Sequence, residues 1–293
     1  MGGGSYTSDD WSKLRQSRSI TDTSSYRELF TSRAMKDMYN PRLVNMRESR
    51  DNDEHPNSTP IAIGVDVTGS MGYLSEEIIK NGLDSLMKTL YASQVIPDPQ
   101  LMFAACGDYK DDAPLQITQF ESDIRIATQL MDLWIEGGGW GNGGEDYQLF
   151  WYFLARHTDT DRMKKRHKKG YAFTIGDEPC HPYAEKDTIR RVFDDTVPES
   201  LTTSGIADEC MEKYNLFHIF IEHGGYHRTA VIPGKTIYIS SDEVKYIPEL
   251  IITAICKCEG ADPKDILGDI DSKVENILAR AFKEVSFDEV INI

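Results

Sequence analysis

The sequence predicts a doubly wound α/β fold, in which helices cover both faces of a mostly parallel, six-stranded sheet. From residue 60 onward, short apolar runs of strand length alternate with helical apolar patterns, as in a parallel sheet joined by helical crossovers. The first run, residues 61–65, is apolar throughout apart from one glycine, as in a central strand buried on both faces. Of the 293 residues, 40% are hydrophobic and 10% aromatic, which is enough for a sizeable core.

The composition also narrows the class of function. The 32 Lys and Arg residues against 48 Asp and Glu give a net charge of −16, which opposes nucleic acid as the main ligand. No apolar run approaches the ~20 residues that span a bilayer, and no charged-then-apolar leader opens the chain. We therefore expect neither membrane insertion nor secretion. Five cysteines, an odd number, fit a reducing cytoplasm better than a disulfide framework.

Residues 1–59 are expected to form an N-terminal arm and linker. Ser25 and Glu28 match a capping box, and apolar residues follow at helical spacing to Met38, so a helix is predicted there. Residues 48–59 are polar and lack apolar periodicity, which is typical of an exposed linker. We expect the arm to dock on its own domain, with docking on a partner as the alternative.

The elements of the main domain, residues 60–258, follow in order. Strands are predicted at 61–65, 101–105, 115–120, 171–175, 216–221 and 236–239. Helices are predicted at 71–91, 122–135, 144–157, 185–194, 204–214 and 245–257. Only a short polar turn separates the third strand from the second, so we expect an antiparallel edge strand.

Residues 259–293 are predicted to form a C-terminal helical extension. Asp262 and Pro263 match an N-cap followed by proline at the first helical position. Apolar residues then recur every three or four positions between residues 266 and 282. This apolar stripe must be covered, either in cis or by another copy of the chain.

The sharpest signal for a site lies where the first strand turns into a helix. Asp66, Thr68 and Ser70 place one carboxylate and two hydroxyls at i, i+2 and i+4 on a tight loop. Open α/β sheets bind ligands at the carboxyl ends of their strands, and converging hard oxygens suit magnesium. An ordinary helix N-cap at Ser70, with Asp66 complementing the helix dipole, explains the same residues without a metal.

The Asp-x-Thr-x-Ser pattern resembles the metal-ion-dependent adhesion site of von Willebrand factor type A domains, a Rossmann-like family. The order of elements over residues 60–257 is similar to that family. The resemblance implies that Thr68 and Ser70 bind Mg²⁺, or Mn²⁺ or Ca²⁺, through their hydroxyls, and that Asp66 acts through water. Asp177, after the strand 171–175, resembles the strand-end Asp that completes the family's site, and it should lie close to Asp66. His181 is more typical of a hydrogen-bond partner than of a ligand.

The glycine-rich loop at residues 137–146 departs from the family's pattern. Most members supply a Thr there, and this loop has none. Asn142 is the candidate ligand in its place through the amide oxygen, and Asp146 could offer a carboxylate instead. No Lys follows the glycines, which disfavours a phosphate-binding P-loop. Asp108, at the end of the second strand, either orients a ligand of the metal or is a turn residue.

A basic run between Arg162 and Lys169 stands out in this acidic chain. It precedes a predicted strand and so belongs at the end of the sheet opposite the metal. A solvated helix end is the simpler interpretation, and a surface for an acidic partner is the alternative.

The resemblance implies a non-enzymatic, metal-dependent protein-binding function, in which the metal takes a carboxylate of a partner protein as its last ligand. Intracellular family members often act as adaptors in assemblies, including those of AAA+ ATPases, so such a partner is expected here. Two alternatives stay open. One is a structural subunit with a vestigial metal site, and the other is a magnesium-dependent hydrolase using Asp66, Asp177, Glu145 and His181.

Overall fold

The computed structural model describes residues 4–137, 143–223, 228–268 and 270–287. The strands are β1 Arg47–Ser49, β2 Thr59–Asp66, β3 Pro99–Cys106, β4 Leu115–Ile117, β5 Thr158–Thr160, β6 Gly170–Gly176, β7 Tyr183–Ala184, β8 Leu201–Thr202, β9 Tyr214–Glu222 and β10 Thr236–Ser240. The α-helices are α1 Ser8–Ser17, α2 Tyr26–Leu29, α3 Gly72–Glu77, α4 Leu83–Ser93, α5 Arg125–Met131, α6 Tyr147–Arg156, α7 Asp161–Arg166, α8 Lys186–Phe193, α9 Thr203–Met211, α10 Ile247–Glu259, α11 Pro263–Leu267 and α12 Ser272–Ala281. A π-helical segment, Ile78–Gly82, joins α3 to α4.

The main sheet has six strands in the order β10-β9-β6-β2-β3-β4. Neighbouring strands are parallel except for β3 and β4, which are antiparallel at one edge. The mostly parallel sheet and its antiparallel edge strand are therefore confirmed. After β2 the chain first builds β3 and β4 on one side and then β6, β9 and β10 on the other. The strand order thus reverses at β2, and this is where sheets of this class form a ligand-binding crevice.

Helices cover both faces of this sheet. On one face, alternate strand residues such as Ile63 and Phe103 pack under α3, α4, α5, α10 and α12. On the other face, residues such as Ala62 and Met102 pack under α6, α8 and α9. Because both faces of each central strand are buried, these strands read in the sequence as continuous apolar runs. Within the described ranges, no helix is both long enough and apolar enough to cross a bilayer.

The predicted helix of the arm was wrong in extent. Half of the capping box forms, with the main-chain N–H of Ser25 donating to Oε2 of Glu28 over 2.6 Å. The N–H of Glu28 donates to the carbonyl of Ser25 and not to its hydroxyl, and α2 stops at Leu29. Leu29 and Phe30 are buried in the main core, so tertiary packing overrides the local helical pattern. The longest helix of the arm is α1, which our sequence analysis did not predict, and its Trp11 is also buried in this core. The arm packs on its own domain.

Residues 48–59 form an exposed linker only in part, since Asp53, Glu54, Pro56 and Asn57 are exposed but Ser49, His55, Ser58 and Thr59 are buried. They begin in β1, which pairs in parallel with β5. Asp51 then accepts hydrogen bonds from Lys165 over 3.1 Å and Arg166 over 2.8 Å, both residues of the basic run. Arg162, which is 3% exposed, forms an ion pair with Glu259. Arg162 and Arg166 are thus paired within the chain, whereas Lys164 and Lys165 at the end of α7 are 62% and 56% exposed, as expected for a solvated helix end.

The C-terminal segment forms two helices where one was predicted. Asp262 caps α11 as expected, its Oδ1 accepting from the N–H of Lys264 over 2.9 Å. Gly268, with φ of +70°, ends α11, because this left-handed conformation cannot continue a helix. Val274 and Leu278 of α12 are buried against the main core. The apolar stripe is thus covered in cis.

Candidate functional site

Asp66, the last residue of β2, is held in place by hydrogen bonds to both of its carboxylate oxygens. Its side chain is fully buried. Oδ1 accepts from the main-chain N–H of Thr68 over 2.8 Å and from the Thr68 hydroxyl over 2.7 Å. Oδ2 accepts from the hydroxyl of Tyr147 over 3.1 Å. The carboxylate and the hydroxyl that were predicted to converge therefore lie together at the carboxyl end of the central strand.

Tyr147 reaches Asp66 because the adjacent strand ends in a glycine. A Cβ atom on Gly176 would lie 1.9 Å from the hydroxyl oxygen of Tyr147 and 3.1 Å from Cβ of Asp66. Both distances are shorter than van der Waals contact, so only glycine leaves room for this arrangement. Tyr147 was missed by sequence reasoning, since nothing in the sequence distinguishes it from the other apolar residues of α6.

Asp177 follows β6 directly and lies beside Asp66. Strands β2 and β6 are paired, with Val65 opposite Ile175, so the adjacency expected from the topology is confirmed. Burial, aided by the charge of Asp177, raises the pKa of Asp66 to about 7, although the hydrogen bonds from Thr68 oppose this rise. His223 places Nε2 3.3 Å from Oδ2 of Asp177, a contact that sequence reasoning also missed.

Glu145 adds a third acidic side chain to this end of the sheet. It is 7% exposed, and its Oε2 has no hydrogen-bond partner among the described residues. Burial, together with the charges of Asp66 and Asp108, raises the pKa of Glu145 to about 10. A carboxyl group in this environment is either protonated or neutralised by a cation.

The donor set and its charge fit a hard divalent cation. Within the described ranges, neither Asp66 nor Glu145 forms an ion pair with a Lys, Arg or His side chain. Carboxylate and hydroxyl oxygens are the ligands that Mg²⁺ and Ca²⁺ prefer. The buried negative charge at this end of the sheet is what such an ion would compensate.

Two of the five predicted metal ligands are not described at the side-chain level. Ser70 lies in the single turn Gly69–Met71, directly after Thr68, but its side chain is outside the described part of the structure. Asn142 lies outside the described residues altogether. The structure brings Asp66, Thr68 and Asp177 to one end of the sheet, and Ser70 and Asn142 stay predictions.

A second group of side chains lies near this site. One ligand atom each of Asp108, Asp146 and His181 lies within 4.8 Å of the other two. Nε2 of His181 is 2.9 Å from Oδ2 of Asp108. Asp108 also accepts from the main-chain N–H of Lys110 over 2.8 Å through Oδ1, so it is a turn residue as well. Sequence reasoning had named these three residues singly and had not grouped them.

Main-chain hydrogen bonds connect the loops that carry both groups. The N–H of Glu145 donates to the carbonyl of Pro179 over 2.9 Å, and the N–H of His181 donates to the carbonyl of Glu145 over 3.1 Å. A Cβ atom on Gly144 would lie 2.9 Å from the same carbonyl of Pro179. Gly144 therefore allows close contact between two loops. This contact, and not phosphate binding, explains a glycine at this position of the loop 137–146.

Comparisons with known proteins show likeness of fold at most. No protein-family model and no curated protein matches the sequence. Among solved structures, proximal thread matrix protein 1 from the mussel byssus is similar over 68% of this chain and 48% of its own, with 13% identity and a TM-score of 0.44. The pilus adhesin SpaC from Lactobacillus rhamnosus GG is similar over 80% of this chain and 31% of its own, with 8% identity and a TM-score of 0.38. The chain thus spans about half of the first protein and about a third of the second, and similarity this low carries no conclusion about function.

Proposed function

We propose that this protein is a non-enzymatic, metal-dependent protein-binding module. Its cation, Mg²⁺ or in its place Mn²⁺ or Ca²⁺, is held by Asp66, Thr68, Ser70 and Asp177, with Asn142 contributing from the glycine-rich loop. The observation that carries the proposal is the buried acidic group formed by Asp66 and Glu145, for which the described residues provide no cationic partner.

The arrangement favours recognition of a carboxylate on a partner protein. When bound, Mg²⁺ supplies an electrophilic centre that can take such a carboxylate as its last ligand. The chain's own residues prepare this centre, because Thr68 and Tyr147 fix both oxygens of Asp66. Without a cation, the net charge of −16 repels an acidic partner.

The identity of the partner rests on the resemblance in the sequence alone. An AAA+ ATPase or another assembly component is the expectation that the resemblance supplies. A cytoplasmic location is part of the proposal, and all five cysteines are free thiols, as proteins of a reducing compartment have them.

Thermal unfolding tests whether the cation binds. Mg²⁺ at a hundredfold excess over its dissociation constant should stabilise the full-length protein by about 2.7 kcal/mol, because it binds the native state only. Asp66→Asn should abolish this gain while retaining the circular dichroism spectrum. The matched control is Glu121→Gln, since Glu121 is also buried but pairs with Leu101 near the opposite end of the sheet. A wild-type protein that millimolar Mg²⁺ does not stabilise would support the vestigial site instead.

Affinity capture tests whether the cation serves protein binding. Immobilised protein should retain a partner from native lysate in Mg²⁺ and release it in excess chelator. The same partner should bind the Glu121→Gln variant and should not bind the Asp66→Asn variant. Retention in chelator would contradict the proposal, and magnesium-dependent turnover of phosphoesters that is lost in Asp66→Asn would favour the hydrolase.

A further inference from the structure

Three segments of the chain bring metal-ligating side chains together beside the Asp66 site. Asp108 comes from the turn after β3, Asp146 from the residue before α6, and His181 from the loop between β6 and β7. We propose that Asp108, Asp146 and His181 form a second metal site, distinct from the Asp66 site, which takes a transition-metal ion of the Zn²⁺ type. This inference goes beyond the proposed function, because it concerns other ligands and another class of metal ion.

The distances among the three side chains are close to those of ligands that share one ion. Ligand atoms about 2.1 Å from a metal lie roughly 3–4 Å from one another. The separation of 2.9 Å between Nε2 of His181 and Oδ2 of Asp108, and the limit of 4.8 Å for the whole group, meet this geometry with small adjustments of the side chains.

The mixture of ligands selects the type of metal. Mg²⁺ is bound through oxygen, whereas an imidazole nitrogen with carboxylates suits Zn²⁺ and related ions. Both carboxylates are oriented by hydrogen bonds, as ligands of metal sites usually are. The amide of Gln148 donates to Oδ1 of Asp146, and the N–H of Lys110 donates to Oδ1 of Asp108.

A buried carboxylate lies next to both the three-residue group and the Asp66 site. Glu145 precedes Asp146 in the chain and is more than nine-tenths buried, and its Oε2 has no hydrogen-bond partner among the described residues. The charges of Asp66 and Asp108 both act on this carboxyl group. Asp108 and Asp146 themselves are 1% and 3% exposed. Buried acidic side chains at this density are stabilised by a nearby cation.

A cavity gives an ion access to the group from solvent. It has a volume of about 270 Å³ and is lined by Asp146, His181, Tyr109 and Tyr183, among other residues. Zinc sites with three protein ligands keep the fourth position for water or for a ligand from outside. The cavity lies where such a ligand would enter.

The proposal is tested by equilibrium dialysis of the chelator-treated, full-length protein against Zn²⁺ in excess Mg²⁺. The wild type should bind one Zn²⁺ ion, and His181→Gln should weaken this binding at least tenfold. The matched control is His157→Gln, because Nε2 of His157 also lies 2.9 Å from an aspartate oxygen, that of Asp195, outside the three-residue group. Asp66→Asn should still bind Zn²⁺, so this site and the proposed magnesium site can fail independently.

Anomalous diffraction at the zinc edge locates the ion without any variant. The proposal predicts a difference peak within bonding distance of Nε2 of His181 and of both carboxylates. A wild type that binds no Zn²⁺, a His181→Gln variant that binds it equally well, or a peak elsewhere would overturn the proposal. In that case the contact of 2.9 Å between His181 and Asp108 is a hydrogen bond within the group and not a metal site.

Discussion

The hydroxyl oxygen of Tyr147 lies only 1.9 Å from the position that a Cβ atom on Gly176 would take. From there, Tyr147 donates a hydrogen bond to Asp66 over 3.1 Å. The glycine at the end of β6 thus allows a residue of α6 to reach the end of β2. Three elements that are distant in the sequence determine the position of one carboxylate.

Replacing Gly176 by alanine should therefore disturb both folding and the candidate site. We expect Gly176→Ala to lower the free energy of unfolding by about 1–3 kcal/mol, since the added methyl group overpacks the core. It should also weaken Mg²⁺ binding, because Tyr147 must move away from Asp66. Urea unfolding with and without Mg²⁺ measures both effects.

Gly82→Ala is the control for this substitution. The nearest atoms to a Cβ on Gly82 lie 3.7 Å away, and its backbone is helical, with φ of −71°. Alanine should be neutral or slightly stabilising there. A Gly176→Ala protein as stable as Gly82→Ala would show that the crowding around Tyr147 relaxes at little cost.

A second prediction concerns the ion pairs of Asp51. Burial opposes ionisation of Asp51, but hydrogen bonds from Arg166, Ser58 and Lys165 outweigh it and hold its pKa well below the usual range. Asp51→Asn should lower the free energy of unfolding by about 1.5–3 kcal/mol at pH 7, as expected for charge-assisted hydrogen bonds. The neighbouring exposed Asp53 provides the control, Asp53→Asn.

The difference between wild type and Asp51→Asn should depend on pH in a defined direction. Because the pKa of Asp51 is lower in the folded than in the unfolded state, its contribution is complete above the unfolded value of about 3.9. It is lost as the pH falls through the folded value. Urea unfolding at a series of pH values should show the difference shrinking below about pH 4. A difference that stays constant there would mean that the ion pairs do not stabilise the fold.

The C-terminal helices should be required for solubility. Val274, Leu278 and Phe282 are buried against the main core. Removal of residues 262–293 therefore exposes the apolar surface of the domain that these helices cover. We expect aggregation or a change of oligomeric state, measured by light scattering. A truncated protein with the mass and solubility of the full chain would show that α12 is dispensable.

Charge reversal in the basic run should not affect the candidate site. Lys164 and Lys165 form ion pairs with Asp159 and Asp51, at the end of the sheet opposite Asp66. Reversing Lys164, Lys165, Lys168 and Lys169 to Glu should reduce stability but retain the stabilisation by Mg²⁺. The single change Lys168→Glu, at an exposed position, is the milder control. Loss of the Mg²⁺ effect in the fourfold variant, at a temperature where it is folded, would contradict this placement.

Sequence patterns predicted the main sheet well because its strands are continuous apolar runs between clear breaks. Only the antiparallel edge strand β4 was much shorter than expected, ending at Ile117. The arm was harder, since burial of Leu29 and Phe30 decides where α2 ends and no local pattern contains this contact. Asp66 and Asp177 could be placed together because both lie at the carboxyl ends of neighbouring parallel strands. Residue spacing does not encode how α6 and the loops pack. This packing brings Tyr147 to Asp66, His223 to Asp177 and His181 to Asp108.

The central claim is that the carboxylates at the ends of β2 and β6 hold a divalent cation. Electron paramagnetic resonance of Mn²⁺ tests it most directly, because the signal of the free ion diminishes on binding and counts the bound ions. We expect Asp66→Asn to bind one Mn²⁺ ion fewer than the wild type and Glu121→Gln to bind the same number as the wild type. Excess Mg²⁺ should displace from the wild type the one Mn²⁺ ion that Asp66→Asn does not bind. Equal numbers of bound Mn²⁺ in the wild type and in Asp66→Asn would contradict the claim.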